Sequence, residues 1–122
     1  MKNALSILII SFIILTLSSG VRAKDANTEI VIKDAAVAEI LNKADVYPNP
    51  AEDHIFLKIS EFESISNIKI EVMSIIGTKM KVTHEKIDSG LFKIDLSDIP
   101  TGHYYLLLTV DSEKSLKKFL KK

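Results

Sequence analysis

The chain has 122 residues, with 16 basic and 16 acidic side chains, three histidines and no cysteine. That length holds one small domain, and the even charge gives no reason to expect nucleic acid or an anionic membrane as partner. Without cysteine there are no disulfides, thiol catalysis or thiolate metal sites, so stability must come from apolar burial and backbone pairing.

Residues 1–23 read as a secretory signal peptide. Met1-Lys2-Asn3 is a short positive start, Ala4 to Leu17 is apolar apart from hydroxyl residues, and Ser18-Ser19-Gly20-Val21-Arg22-Ala23 offers a peptidase site ending at Ala23. A membrane anchor is the rival, but this run of 14 residues falls short of the roughly 20 that span a bilayer. A lipoprotein signal would need a cysteine. Removing Lys2 and Arg22 with the leader leaves 14 bases against 16 acids.

Residues 24–45 are rich in Ala, Asp and Lys, with neither Gly nor Pro. Asp34 is a candidate cap for a short helix that places Val37, Ile40, Leu41 and Ala44 on one face. Thr28 to Ile32 is alternatively a brief strand. So short a helix is marginal alone, which favours a linker or weakly ordered segment over a helical leader.

From Val46 the apolar period becomes two. Ile55, Leu57 and Ile59 alternate with Phe56 and Lys58, and Ile68, Ile70 and Val72 with Lys69, Glu71 and Met73. Met80 and Val82 continue the pattern, followed by Phe92, Ile94 and Leu96, then Tyr104 to Val110, and finally Leu116 to Leu120 with basic flanks. Tyr104 to Leu108 is apolar on both faces, which predicts a central or covered strand. Pro48-Asn49-Pro50 breaks the first strand, since neither proline donates to a ladder. Gly77, Gly90 and Gly102 mark turns where a positive φ costs least. This rhythm predicts a small antiparallel immunoglobulin-like β-sandwich of six or seven strands spanning residues 46–122.

Signatures of catalysis are missing from the sequence: it has no HExxH, phosphate-binding glycine loop or GxSxG elbow. His54, His84 and His103 are scattered and read as surface residues rather than metal ligands. Asp95, Asp98 and Asp111 fit turns better than a calcium cage, and Glu52 and Asp53 have no opposed acid to suggest a glycosidase. No cofactor and no small-molecule substrate are expected, and the chain is expected not to be an enzyme.

Four segments carry a resemblance. Val46-Tyr47-Pro48-Asn49-Pro50-Ala51 resembles the opening of type A C-terminal sorting domains of the type IX (Por) secretion system. Ile68 to Gly77 is similar to that family's strand and glycine turn, with Met73-Ser74 replacing the usual aromatic and Asp or Asn. Phe92 to Tyr104, including Asp95, Leu96, Pro100, Gly102 and Tyr104, matches its "IDLSxLPxGxY" stretch. Lys117-Lys118-Phe119-Leu120-Lys121 matches its basic ending. Each segment also has a local reading: Pro48 and Pro50 hold the chain extended, Pro100 and Gly102 suit a turn, and Tyr104 is placed to bury its ring and bond back to that corner.

The resemblance implies a non-enzymatic secretion signal with almost no passenger ahead of it. It implies passage through the periplasm, recognition by the outer-membrane type IX translocon, and cleavage by a sortase-like signal peptidase between about residues 24 and 45. The product would then sit at the cell surface or be secreted. Alternatives are a small periplasmic or cell-surface binding module that uses an edge strand, and the remnant of a longer secreted cargo protein. Oligomeric state is open.

Overall fold

The period-two segments fold into two four-stranded antiparallel sheets packed face to face, in a computed structural model that describes residues 26–122. The expected signal peptide, residues 1–23, and the expected cleavage residue Ala23 lie outside the described residues. One sheet contains β1 (Asp45–Tyr47), β2 (His54–Lys58), β6 (Leu91–Asp95) and β5 (Thr83–Asp88), in the order β1-β2-β6-β5. The other contains β4 (Lys79–Met80), β3 (Ile68–Ser74), β7 (Gly102–Val110) and β8 (Glu113–Lys121), in the order β4-β3-β7-β8.

The alternation turns directly into layers, because successive side chains of a strand point to opposite faces. Ile55 and Leu57, Ile70 and Val72, Phe92 and Ile94, and Tyr104, Leu106, Leu108 and Val110 all enter the shared core. As the doubly apolar run requires, β7 is central, between β3 and β8. Its outer residues Tyr105 and Leu107 are half-buried by neighbouring strands.

The described residues form eight strands, against the six or seven expected. The segment read as one continuation around Met80 and Val82 is two strands in different sheets, β4 pairing with β3 and β5 pairing with β6. Every residue of β5 is exposed, so it has no apolar face to reveal it. Backbone pairing with β6 holds it, helped by the Glu85–Lys93 register pair and by Lys86 over the ring of Phe62 at 4.8 Å.

Residues 26–42 form a 17-residue helix, α1 (Ala26–Asn42), and not a strand or an unstructured linker. Asp34 is not its cap, because the helix already runs from Ala26. Ala, Glu and Lys favour a helix there, and no Gly or Pro interrupts it. The anticipated face is nonetheless the buried one: Val37, Ile40, Leu41 and Ala44 join the core cluster. This docking supplies the stability that so short a helix lacks alone. The Ser115 hydroxyl donates to Asn42 Oδ1 at 3.3 Å, and Lys117 Nζ donates to the Asn42 carbonyl near the helix C-terminus. The rest of α1, from Thr28 to Ala36, is exposed apart from half-buried Asp34.

Candidate functional site

All four motif segments reach the same end of the sandwich, and the strand registers show it. Tyr47 pairs with Phe56, so Pro48 to Asp53 turn beyond the end of β1 and β2. His54 pairs with Asp95, Ser74 with Tyr104, and Gly102 with Lys121. The prolines, the Gly77 turn, the Asp95–Gly102 loop and the chain's last residues are therefore neighbours.

The Pro48-Asn49-Pro50 segment is where the incoming chain changes sheets. Before it, β1 pairs with β2; after it, Ala51 forms a parallel bridge with Lys121 of β8. Proline suits this crossing because neither ring nitrogen has a hydrogen to leave unpaired. Both X–Pro bonds are cis. Asn49 completes the crossing as a side-chain surrogate for a strand: its Oδ1 accepts the Leu120 amide at 3.0 Å, and its Nδ2 donates to the Lys118 carbonyl at 3.4 Å. Next to it the Ala51 amide donates to the Leu120 carbonyl at 2.7 Å, and the Lys122 amide donates to the Ala51 carbonyl at 2.8 Å. Ala51 is fully buried.

The second seam is a tyrosine corner. Tyr104 Oη donates to the Pro100 carbonyl at 2.6 Å, four residues back, as the sequence predicts. Its ring stacks on Phe119 with centroids 5.8 Å apart, and both rings are buried. Gly102 sits between, with its φ at +157°. Leu96 is buried beneath the same loop, and its amide donates to the Asp53 carbonyl at 2.8 Å.

Asp95 acts as a turn former. One carboxylate oxygen accepts both the Ser97 hydroxyl at 2.6 Å and the Ser97 amide at 2.9 Å. The hydroxyl first, then the amide, holds its pKa below the ordinary carboxylate value. Asp53 is likewise lowered, chiefly by its 2.7 Å contact with His54 Nδ1. These two acids line an open groove of about 510 Å³ with His54, His84, Glu85 and Lys93. Carboxyls held low are anions, not proton donors, which is the wrong state for general acids. Among the described residues no three His, Asp or Glu side chains converge on a common point.

At the β3–β4 hairpin, Ser74 closes the turn from both sides. Its amide donates to the Thr78 carbonyl at 2.8 Å, its hydroxyl accepts the Thr78 amide at 3.1 Å, and the Gly77 amide donates back to the Ser74 carbonyl at 2.9 Å. Gly77 adopts φ +87°, a left-handed conformation in which a side chain would be strained. Ile75 and Ile76 are held at the tip, 59% and 85% exposed.

The terminal basic residues divide by role. Lys117 shares its strand face with buried Ser115 and Phe119 and binds α1, while Lys118 is exposed and Lys121 half-buried. Tyr47 is exposed against Phe56 at 5.7 Å. Ala51 and Leu120 belong to the junction and Asn42 receives Ser115 and Lys117 at the end of α1, but none of the three is among the predicted site residues. Ala51 was legible only as the letter following the prolines.

A family model described as the secretion system C-terminal sorting domain matches residues 45–122. The chain belongs to this type IX sorting-domain family. Membership implies dealings with the type IX secretion machinery and export to the cell surface or beyond it. The family supports a role for this domain as a secretion signal. The crystal structure of the Lin-41 filamin domain is similar to the sorting domain at 13% identity and a TM-score of 0.48, covering 65% of this chain and 91% of that one. No curated protein matches the sequence. Among the described residues no helix is long and apolar enough to cross a membrane.

Proposed function

We propose that the sandwich is read in its folded state, as a secretion signal, by the outer-membrane translocon of the type IX system. The carrying observation is the convergence of the motif segments, with residues 49–51 hydrogen-bonded to residues 118–122. Segments so far apart in sequence form one surface only after folding, so a receptor for that surface can distinguish folded cargo from unfolded chain. The leader at residues 1–23 would supply passage into the periplasm. A sortase-like peptidase would then cut ahead of Val37, because Val37, Ile40, Leu41 and Ala44 are packed into the core while Thr28 to Ala36 stand largely exposed.

The rival reading is a binding module that adds a partner strand at a sheet edge, with the basic strand β8 as the candidate edge. Asn49 and Ala51 already occupy the last third of that edge, which favours the signal reading.

The test inserts a reporter between Ala23 and Lys24 of the full chain, in a host with the type IX pathway and in the same host lacking the translocon. The expected result is reporter at the surface or in the medium of the first host only. Retention in the periplasm of both would overturn the proposal.

A further inference from the structure

We infer that the Ile75–Ile76 hairpin tip is an apolar anchor that inserts into a hydrophobic pocket on the protein receptor of this domain. The inference rests on the reading of the sandwich as a folded secretion signal and names the contact by which it is held.

The tip has a feature that folding does not explain. Ile76 is 85% exposed and Ile75 is 59% exposed, and neither belongs to the core or to the half-buried residues packed on it. β-branched apolar residues are poor choices for a tight turn, where Asn, Asp, Ser and Gly are favoured. The turn is nevertheless rigid: Ser74 and Thr78 are joined by two hydrogen bonds, and Gly77 bonds back to Ser74. Just behind it, Glu71 receives Lys79 at 2.9 Å and Lys69 at 3.2 Å. Two apolar side chains are thus presented on a fixed scaffold, so little ordering cost remains on binding. A local choice that conflicts with its solvent surroundings, on a backbone held so firmly, marks a place shaped by something other than folding.

Three occupants would accept such a tip, and the structure favours one. A bilayer would need a basic rim, yet the same end mixes Glu52, Asp53, Asp95 and Asp98 with Lys118, Lys121 and Lys122, a balance that gives an anionic surface no net attraction. A second copy would need a self-complementary patch of roughly 800 Å² per partner, far more than two isoleucines at a hairpin tip provide. A concave protein pocket needs only a small buried anchor surrounded by polar contacts, and the exposed Lys118, Lys122 and Asn49 at this end offer those.

The experiment uses the reporter-bearing full chain with Ile75→Ser and Ile76→Ser together, and a second variant with Ile75→Leu and Ile76→Leu. The serine pair is expected to lower surface reporter at least tenfold, with accumulation in the periplasm. The leucine pair should export near the wild-type level, and the melting temperatures of all three purified chains should agree. Wild-type export by the serine pair would overturn the anchor while leaving the signal reading intact. Premature unfolding of the serine pair would also overturn it, by showing that the tip supports the fold. Loss of export in the leucine pair with its fold intact would overturn a merely apolar pocket. Two results with the unmodified chain would replace the receptor by another occupant: co-sedimentation with phosphatidylglycerol vesicles, or a dimer in the ultracentrifuge that the serine pair abolishes. Retention of the wild-type reporter in the periplasm would remove the signal reading and the anchor together.

Discussion

Asn49 and Leu120, 71 residues apart, are joined by a hydrogen bond of 3.0 Å from the Leu120 amide to the Asn49 carboxamide. The same side chain also donates to the Lys118 carbonyl, so one amide stands in for a neighbouring strand at the open edge of β8. Asn49→Ala should destabilise the fold by about 1 kcal/mol, the net value of an exposed hydrogen bond or two. Asn49→Asp keeps the acceptor and loses the donor, and should fall between. Urea unfolding of the three proteins checks the order.

Tyr104→Phe separates the hydroxyl from the ring. The phenylalanine keeps the stack on Phe119 and leaves the part-buried Pro100 carbonyl without its donor. The expected loss is about 1–3 kcal/mol, against about 3–5 kcal/mol for Tyr104→Ala, which also empties the core position. Denaturant midpoints at constant slope would confirm that both act on the native state.

Two glycines should respond differently to alanine. A Cβ on Gly90 would stand 2.3 Å from the Ile59 carbonyl oxygen, and the Ile59 amide already donates to the Gly90 carbonyl at 2.7 Å. The backbone at that corner has to move. Gly77 faces open space, so alanine there meets only the left-handed strain of about 1–2 kcal/mol. Gly90→Ala should therefore lower the melting temperature by clearly more than Gly77→Ala; equal shifts would contradict the close approach.

The helix contributes as a core element. Leu41→Ala should cost about 2–5 kcal/mol, because Leu41 is fully buried in the core cluster. Ile30→Ser, on the exposed half, should change stability by less than about 0.5 kcal/mol. Thermal unfolding of both variants measures the contrast.

Acid should weaken the fold through carboxyls lowered by their partners: Glu71 by Lys79 and then Lys69, Asp95 by Ser97, and Asp53 by His54. Each has a folded-state pKa below its unfolded one. Its contribution is complete above the unfolded value, near pH 4, and disappears as pH falls through the lower folded value. Asp53 and Asp95 are exposed and Glu71 is half-buried between two exposed lysines, so the effect should be gentle and reduced by salt. A chemical-shift titration should find Asp95 below an ordinary aspartate, and Ser97→Ala should return it upward.

Sequence made most of this fold legible wherever one face of a segment had to be apolar. The cores of β2, β3, β6 and β7, and the buried face Val37, Ile40, Leu41 and Ala44, all follow from period alone. β5 did not, because Thr83 to Asp88 bury nothing and are held by pairing, which leaves no trace in hydropathy. The docking of α1 also escaped, since it depends on a core surface built by strands later in the chain. The motif segments were each readable in place, down to Tyr104 and its corner. That Asn49 meets Leu120, while Lys117 turns inward to Asn42, is a relation between distant segments with no local signal.

The exposed half of α1 has a mechanical consequence. Residues 26–36 extend a helix whose nucleation is already met by the half docked in the core. At 1.5 Å per residue they form an arm of about 16 Å. A cargo fused directly at Ala26 would depart from the far end of that arm. Like the tip of a short boom, that point stands off the sandwich, and lengthening the arm by single residues would swing it around the helix axis in steps of about 100°.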